Sequence, residues 1–205
     1  MTESWKEQNW SEYYQLMCGQ PPHSTLLKAL ALFEADGIQK TKYRAVDLGC
    51  GSGNDSLELL RLGWEVVAMD REAEALGWLK AGIAPEQNKR LETIQVDFED
   101  IQIPKVDLVN AGYSLPFCPP KIFSDLWNKI CNSLEQGGRF SGHFFGIHDG
   151  YAEIPEISIQ TQDAIADLFK NYDVEYLDER DQLGATIGGI QKHWHIFSLV
   201  AKKNR

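Results

Sequence analysis

The chain has 205 residues, 43% of them hydrophobic and 24% charged, enough for one globular domain with an ample core and with nothing that requires a second. Its net charge of −10 argues against a standing nucleic-acid partner, because the basic runs Lys40 to Arg44, Lys89-Arg90 and Lys202 to Arg205 are short and read as solvated surface. Residues 1–10 lack the apolar centre of a signal peptide and no apolar run has the length of a membrane span, so a cytoplasmic protein with no membrane partner is expected.

Residues 1–22 are polar and aromatic, carrying Trp5, Trp10, Tyr13 and Tyr14. With the helix that follows, they make residues 1–40 an N-terminal lid or helical segment ahead of a core spanning 41–205. Ser24 is placed to cap that helix, whose apolar positions are Leu26, Leu27, Leu30 and Phe33. A first strand at 43–48 runs into glycines and a helix at 54–62, which Gly63 stops. A second strand at 65–70 contains the unbroken apolar run Val66-Val67-Ala68, suited to a buried parallel sheet. A helix at about 72–81, a third strand at 92–96 and a fourth at 106–111 follow. The helix at 120–134 has the cleanest periodicity, with Ile122, Phe123, Leu126, Trp127, Ile130 and Leu134 on one face. Gly137-Gly138 opens a fifth strand at 139–145. Thr161 is placed to cap a helix at 162–170, and strands at about 174–180 and 193–201 close the chain.

Strands alternating with helices through residue 145 imply right-handed βαβ units. The last two strands have only a glycine-bearing connector between them, Asp181 to Lys192, which points to a hairpin with the final strand antiparallel. The expected fold is α/β: a single Rossmann-like, doubly wound sheet of seven strands, mostly parallel, with an antiparallel C-terminal hairpin. The four cysteines, Cys18, Cys50, Cys118 and Cys131, show neither C-x-x-C nor metal-ligand spacing and read as reduced thiols.

The most informative stretch is Ala45-Val46-Asp47-Leu48-Gly49-Cys50-Gly51-Ser52-Gly53. A strand, a glycine loop and a helix bring backbone close to a ligand, because glycine lacks a Cβ and accepts positive φ. Asp47, just before the first glycine, is a poor companion for a pyrophosphate and a good one for a cation. S-adenosylmethionine (SAM) carries a sulfonium, an ammonium and no phosphate. Val46 to Gly53 resembles motif I of the class I SAM-dependent methyltransferases, in which the antiparallel C-terminal strand is a hallmark.

That resemblance implies an enzyme that moves a methyl group from SAM to a small-molecule nucleophile by in-line displacement, releasing S-adenosylhomocysteine. It implies that Asp47, Gly49, Cys50, Gly51 and Gly53 surround the methionine portion. Asp70, with Arg71 beside it, would accept the ribose hydroxyls; its other reading is a helix N-cap. Asp97 and Phe98 would meet the adenine, and Asn110 and Ala111 would face the sulfonium. Asn110-Ala111-Gly112-Tyr113 keeps the first and last residue types of the [D/N/S]-P-P-[Y/F/W] motif of amino-directed nucleic-acid methyltransferases. It lacks the prolines that stiffen the motif, which again favours a small acceptor.

No catalytic residue is assigned; Asn110, Tyr113, His143 and His148 are the candidates. Trp10, Tyr14, Tyr113, Phe117 and Phe145 are candidates for the acceptor pocket, with Trp10 to Tyr14 either a lid or a docked terminus. His193 and His195, at i and i+2, share one side of the last strand, a geometry compatible with a metal. With no third ligand evident they are read as a surface pair, unless the fold brings His143 or His148 alongside, and no metal is expected. The whole pattern resembles the small bacterial tellurite-resistance and thiopurine-type methyltransferases. The stretch Asp181 to Thr186, where the tellurite enzymes are proposed to carry a histidine, has none here. A monomer or weak homodimer is expected. The other readings are an NAD(P)-dependent oxidoreductase and a non-catalytic SAM-binding module.

Overall fold

Each βα unit is a short apolar strand followed by a helix with one apolar face, so burying both requires helices on the two sides of one sheet. The computed structural model, which describes residues 10–37 and 40–204, has that form. In chain order it contains α1 (Trp10–Met17), α2 (Ser24–Ala35), β1 (Arg44–Leu48), α3 (Asn54–Arg61), β2 (Glu65–Asp70) and α4 (Ala73–Gly82). Then follow β3 (Leu91–Gln95), β4 (Val106–Ala111), α5 (Pro120–Ser133), β5 (Leu134–Gly146), β6 (Ile159–Gln160), α6 (Gln162–Leu168), β7 (Tyr172–Ala185) and β8 (Gln191–Lys203). The sheet order is β3-β2-β1-β4-β5-β8-β7, parallel through β5, with β8 antiparallel to both its neighbours. Trp5 and Arg205 lie outside the described residues.

The expected seven strands become eight because β6, two residues long, pairs with the far end of β5. Two residues carry no period that a sequence reading could detect. The C-terminal hairpin is also longer than the alternation suggests. Most of the connector 181–192 is ladder, and the turn closes where the Thr186 amide donates to the Ile190 carbonyl at 2.7 Å, with Gly189 at φ +81°. Ser24 is the first residue of α2 and not its cap; His23 holds the cap position and turns its side chain to another partner. Thr161 does cap α6, its hydroxyl accepting from the Ala164 amide at 3.1 Å.

Alternation along the strands divides the core. Val46, Leu48, Val67, Met69, Val109, Phe140 and Phe144 pack against Phe123, Leu126, Trp127 and Ile130 of α5 and Ile165 of α6. Ala45, Val66, Ala68, Leu108 and Val200 face the other way, onto α2, α3 and α4. A third apolar group, Phe145, Ile157 and Ile196 with Trp10, Tyr113, Phe117 and Trp194 beside it, sits at the carboxyl end of β5.

One charge is fully enclosed. Arg139, at 0% exposure in β5, makes a two-pronged pair with Glu175 (Nε–Oε2 2.6 Å, Nη2–Oε1 2.8 Å) and meets Asp36 at 2.9 Å. Its guanidinium also lies 4.5 Å from the Phe33 ring centroid. The pair thus ties α2 and β7 to β5. Removing the cation strands two carboxylates that remain partly wet, so Arg139→Ala is expected to cost about 2–4 kcal/mol, measured by urea unfolding. A loss below about 1 kcal/mol would show that the pair does not hold these elements.

Candidate functional site

The glycine loop is built by three different constraints. Gly49, Gly51 and Gly53 all have positive φ, +64°, +53° and +87°. A Cβ on Gly49 would stand 2.5 Å from Ser114 Cβ, and one on Gly53 2.6 Å from Leu79 Cδ1. These two glycines allow the loop to press on the segment after β4 and allow α3 to press on α4. At Gly51 the nearest atom is in the Tyr14 ring, 3.7 Å away, so only here does the loop open toward a ligand. Asp70 braces it from the next strand: the Gly51 amide donates to Asp70 Oδ2 and the Glu72 amide to Oδ1, both at 2.9 Å. Asp70 thus caps the turn that leads into α4, whose N-cap position is Glu72, and lines the cavity. Cys50 is half-buried in the loop, and its desolvation there pushes the thiol well above the ordinary value and makes it a poor nucleophile.

Beneath the loop lie two buried carboxylates. Asn110 donates through its one amide nitrogen to Asp47 Oδ1 at 2.9 Å and to Asp55 Oδ2 at 2.7 Å, while its own oxygen accepts from Ser141 at 2.7 Å. Ser56 donates to the second oxygen of Asp47 at 2.6 Å. Asp55 also receives His23, whose Nδ1 lies 2.8 Å from Oδ2 and whose amide donates to Oδ1 at 2.8 Å. The environments push the two acids apart. Burial and the nearby Asp55 charge raise Asp47 to about 7. Asp55 is lowered, the His23 pair outweighing the burial that would raise it. His23 itself is raised: burial opposes its charge, and the hydrogen bond and charge of Asp55 outweigh it.

A cavity of about 1500 Å³ opens over this network. Such a volume exceeds a single small-molecule pocket and holds a cofactor and an acceptor together. Asp47, Gly49, Cys50, Gly51, Asp70, Arg71, Asp97 and Phe98 line it, as do Trp10, Tyr14, Tyr113, Phe117 and Phe145. Helix α1 roofs it: the Asn54 amide nitrogen donates to the Met17 carbonyl at 2.7 Å, and the Gly19 amide returns a bond to Asn54. The described part of the aromatic N-terminal segment is thus docked over the cavity.

Other expected site residues lie elsewhere. Gly53 serves helix packing. Asn110 is 0% exposed with its polar atoms committed to carboxylates and Ser141, and Ala111 is equally buried, so neither forms the cavity floor. His143, at 2% exposure, stacks face to face beneath Tyr113 at 3.9 Å, and burial lowers it to about 3, leaving a neutral ring. His148 is exposed on the other side of the sheet, bonded to Asp181.

Three cavity residues escaped the sequence reading. His23 was legible only as the residue after Pro21-Pro22, where a chain is held extended before a helix. Lys192 is boxed by Trp194, Tyr151 and Phe145, its Nζ 3.6, 4.2 and 4.8 Å from their centroids, and is neutralised by Asp149 at 2.5 Å. Arg180, from β7, reaches the Tyr113 hydroxyl.

Residues 45–138 match a family model described as a methyltransferase domain. No curated protein sequence matches the chain. Among solved structures, TehB from Haemophilus influenzae is similar at 17% identity and a TM-score of 0.74, over 97% of this chain and 67% of that one. The 1,6-didemethyltoxoflavin-N1-methyltransferase of Burkholderia thailandensis, solved with 1,6-didemethyltoxoflavin and S-adenosylhomocysteine, is similar at 17% identity and a TM-score of 0.65, over 89% and 79%. The magnesium protoporphyrin IX methyltransferase of Synechocystis PCC 6803, solved with SAM, is similar at 14% and 0.67, over 98% and 93%. At these identities the structures establish the fold, and the segment that carries the glycine loop and β1 to β4, a little under half of the chain, matches a methyltransferase domain.

Proposed function

We propose that the acceptor is a small, flat, largely apolar molecule that arrives protonated, and that His23, oriented by Asp55, takes its proton. The observation that carries this reading is the His23–Asp55 pair on the wall of an aromatic-rich cavity, beside the glycine loop. Trp10, Tyr113, Phe117, Phe145 and Trp194 offer ring faces, while Lys192, a buried cation on the cavity wall, is already cancelled by Asp149. That wall favours a planar ring system over an oxyanion. Small-molecule acceptors also stand in the names of the toxoflavin and protoporphyrin enzymes. The roomy cavity supports an enzyme over a non-catalytic binding module.

The residues present fit SAM. Left-handed glycines expose backbone at Gly51, Asp47 offers a buried carboxylate with lone pairs to spare for an ammonium, and Asp70 does so for the ribose diol. SAM supplies an electrophilic methyl group on its sulfonium. The protein's share is orientation and the exclusion of water under α1. Neutral His23 donates Nδ1–H to Asp55 and presents the Nε2 lone pair to the acceptor proton; Asp55 then stabilises the imidazolium. Asn110 acts as a positioning residue, holding both carboxylates.

Three outcomes follow from this assignment. Asp70→Ala should weaken S-adenosylhomocysteine binding by about 2–4 kcal/mol in calorimetric titration, the ribose bonds and the loop brace being lost together. An affinity within threefold of wild type would remove Asp70 from the site. Because a bound ammonium favours ionised Asp47, binding must release the proton that Asp47 holds below about pH 7. Affinity should therefore climb from about pH 6 to about pH 8, and Asp47→Asn should be weaker and flatter. Finally, once an acceptor is found, His23→Gln should lower kcat on the order of 10²-fold. Asp55→Asn should move the acidic limb of the kcat/KM profile to lower pH, since it removes the carboxylate that raises His23. An unchanged limb in Asp55→Asn, with kcat intact in His23→Gln, would point to an acceptor that arrives ionised.

A further inference from the structure

Four of the five histidines in the chain lie near a carboxylate, and three of those gather around Asp181, with His193 on the rim of the methyl-transfer cavity and His148 and His195 outside it. We propose that His148, Asp181 and His195 form a binding site for one divalent first-row transition metal ion, with His193 holding the carboxylate from behind. The site lies on the face of the sheet that packs on α5 and α6, because His195 and Phe197 share a side of β8 and Phe197 belongs to that core. Trp194 and Ile196 point the other way, to the acceptor end.

One ligand atom from each of His148, Asp181 and His195 lies within 4.8 Å of the other two. His148 Nδ1 is 2.7 Å from Asp181 Oδ2, and His193 Nε2 is 2.5 Å from Asp181 Oδ1. Donors about 2.0–2.2 Å from a tetrahedral metal stand roughly 3.3–3.6 Å apart. The cluster therefore needs to open by under about 1 Å between His148 and Asp181 and to close by up to about 1.5 Å toward His195. His148, 58% exposed, is free to make that adjustment.

Two further features are those of a prepared site. The His195 ring rests on the backbone of Gly146, where a Cβ would come within 2.4 Å of ring atoms, so only glycine leaves room for it. Its Nε2 lies 2.9 Å from Glu179 Oε1, the carboxylate–histidine contact that fixes ring orientation at metal centres, so an ion would take the Nδ1 lone pair that now accepts from the His148 amide at 3.1 Å. The rings of His148 and His195 stack at 5.0 Å. Imidazoles with a single carboxylate suit borderline ions such as Zn²⁺; Mg²⁺ and Ca²⁺ prefer all-oxygen shells. A bound ion would tie the segment after β5, through His148, to the β7–β8 hairpin, through Asp181 and His195.

The test is equilibrium dialysis and calorimetry of the tag-free full chain with Zn²⁺, with Mg²⁺ as the control. The expected result is one Zn²⁺ per chain at low-micromolar or tighter affinity, no Mg²⁺ binding and a raised Tm. His148→Ala and Asp181→Asn should each weaken Zn²⁺ binding at least tenfold. Co²⁺ in place of Zn²⁺ should give the visible d–d bands of a tetrahedral site, lost in the same variants. Absence of one-to-one binding by the folded wild-type chain would overturn the proposal. So would Zn²⁺ affinity unchanged in His148→Ala, an exposed position whose substitution leaves the core intact.

Discussion

Burying two carboxylates side by side is the constraint from which the active end of this protein follows. Asp47 and Asp55 approach the same amide nitrogen of Asn110, and two ionised acids in such a place repel at short range and are poorly solvated. The structure resolves this asymmetrically. Asp55 keeps its charge because His23 reaches down to it, while Asp47 has hydroxyl and amide donors but no cation. Asp47 is thereby held near its titration point, short of one positive charge, directly under the loop that admits the cofactor. The methyl donor's own cations answer that shortage.

The same network couples the cofactor side to the acceptor side. His23 caps α2, Asp55 belongs to α3, Asn110 ends β4, and Ser141 lies in β5, so one hydrogen-bonded chain spans elements far apart in sequence. Gly112 carries the consequence: a Cβ there would sit 2.6 Å from His23 Nδ1. The glycine that replaces a proline of the nucleic-acid enzymes' motif is thus required by the histidine packed over it. The departure from that motif and the presence of His23 are one structural fact.

Reversal of the last strand shapes the other face. Because β8 runs against β5, its beginning lies beside the end of β5, and His195 is brought onto Gly146 and next to His148. The cavity and the His148–His195 pair both lie at the carboxyl edge of the sheet, and the alternation of Trp194 and Ile196 with His195 and Phe197 turns that pair away from the cavity.

Local patterns were enough for the parts of this protein that depend on near neighbours. The apolar runs and glycine stops show the βα order, the absence of a helix between the last two strands shows the antiparallel ending, and Asp47 before three glycines shows a site for a cation. What sequence could not show depended on contacts across many residues. Asn110 reads as a site-facing residue until its partners, 63 and 55 positions away, consume it. His148 reads as a catalytic candidate until β7 supplies Asp181, and His23 is an unremarkable residue after two prolines until Asp55 meets it. The sequence by itself determined the architecture and the cofactor, because period and glycine placement act within a few residues. Only the tertiary structure decided which polar groups remain free for chemistry, because a buried donor or acceptor must find a partner wherever the fold provides one.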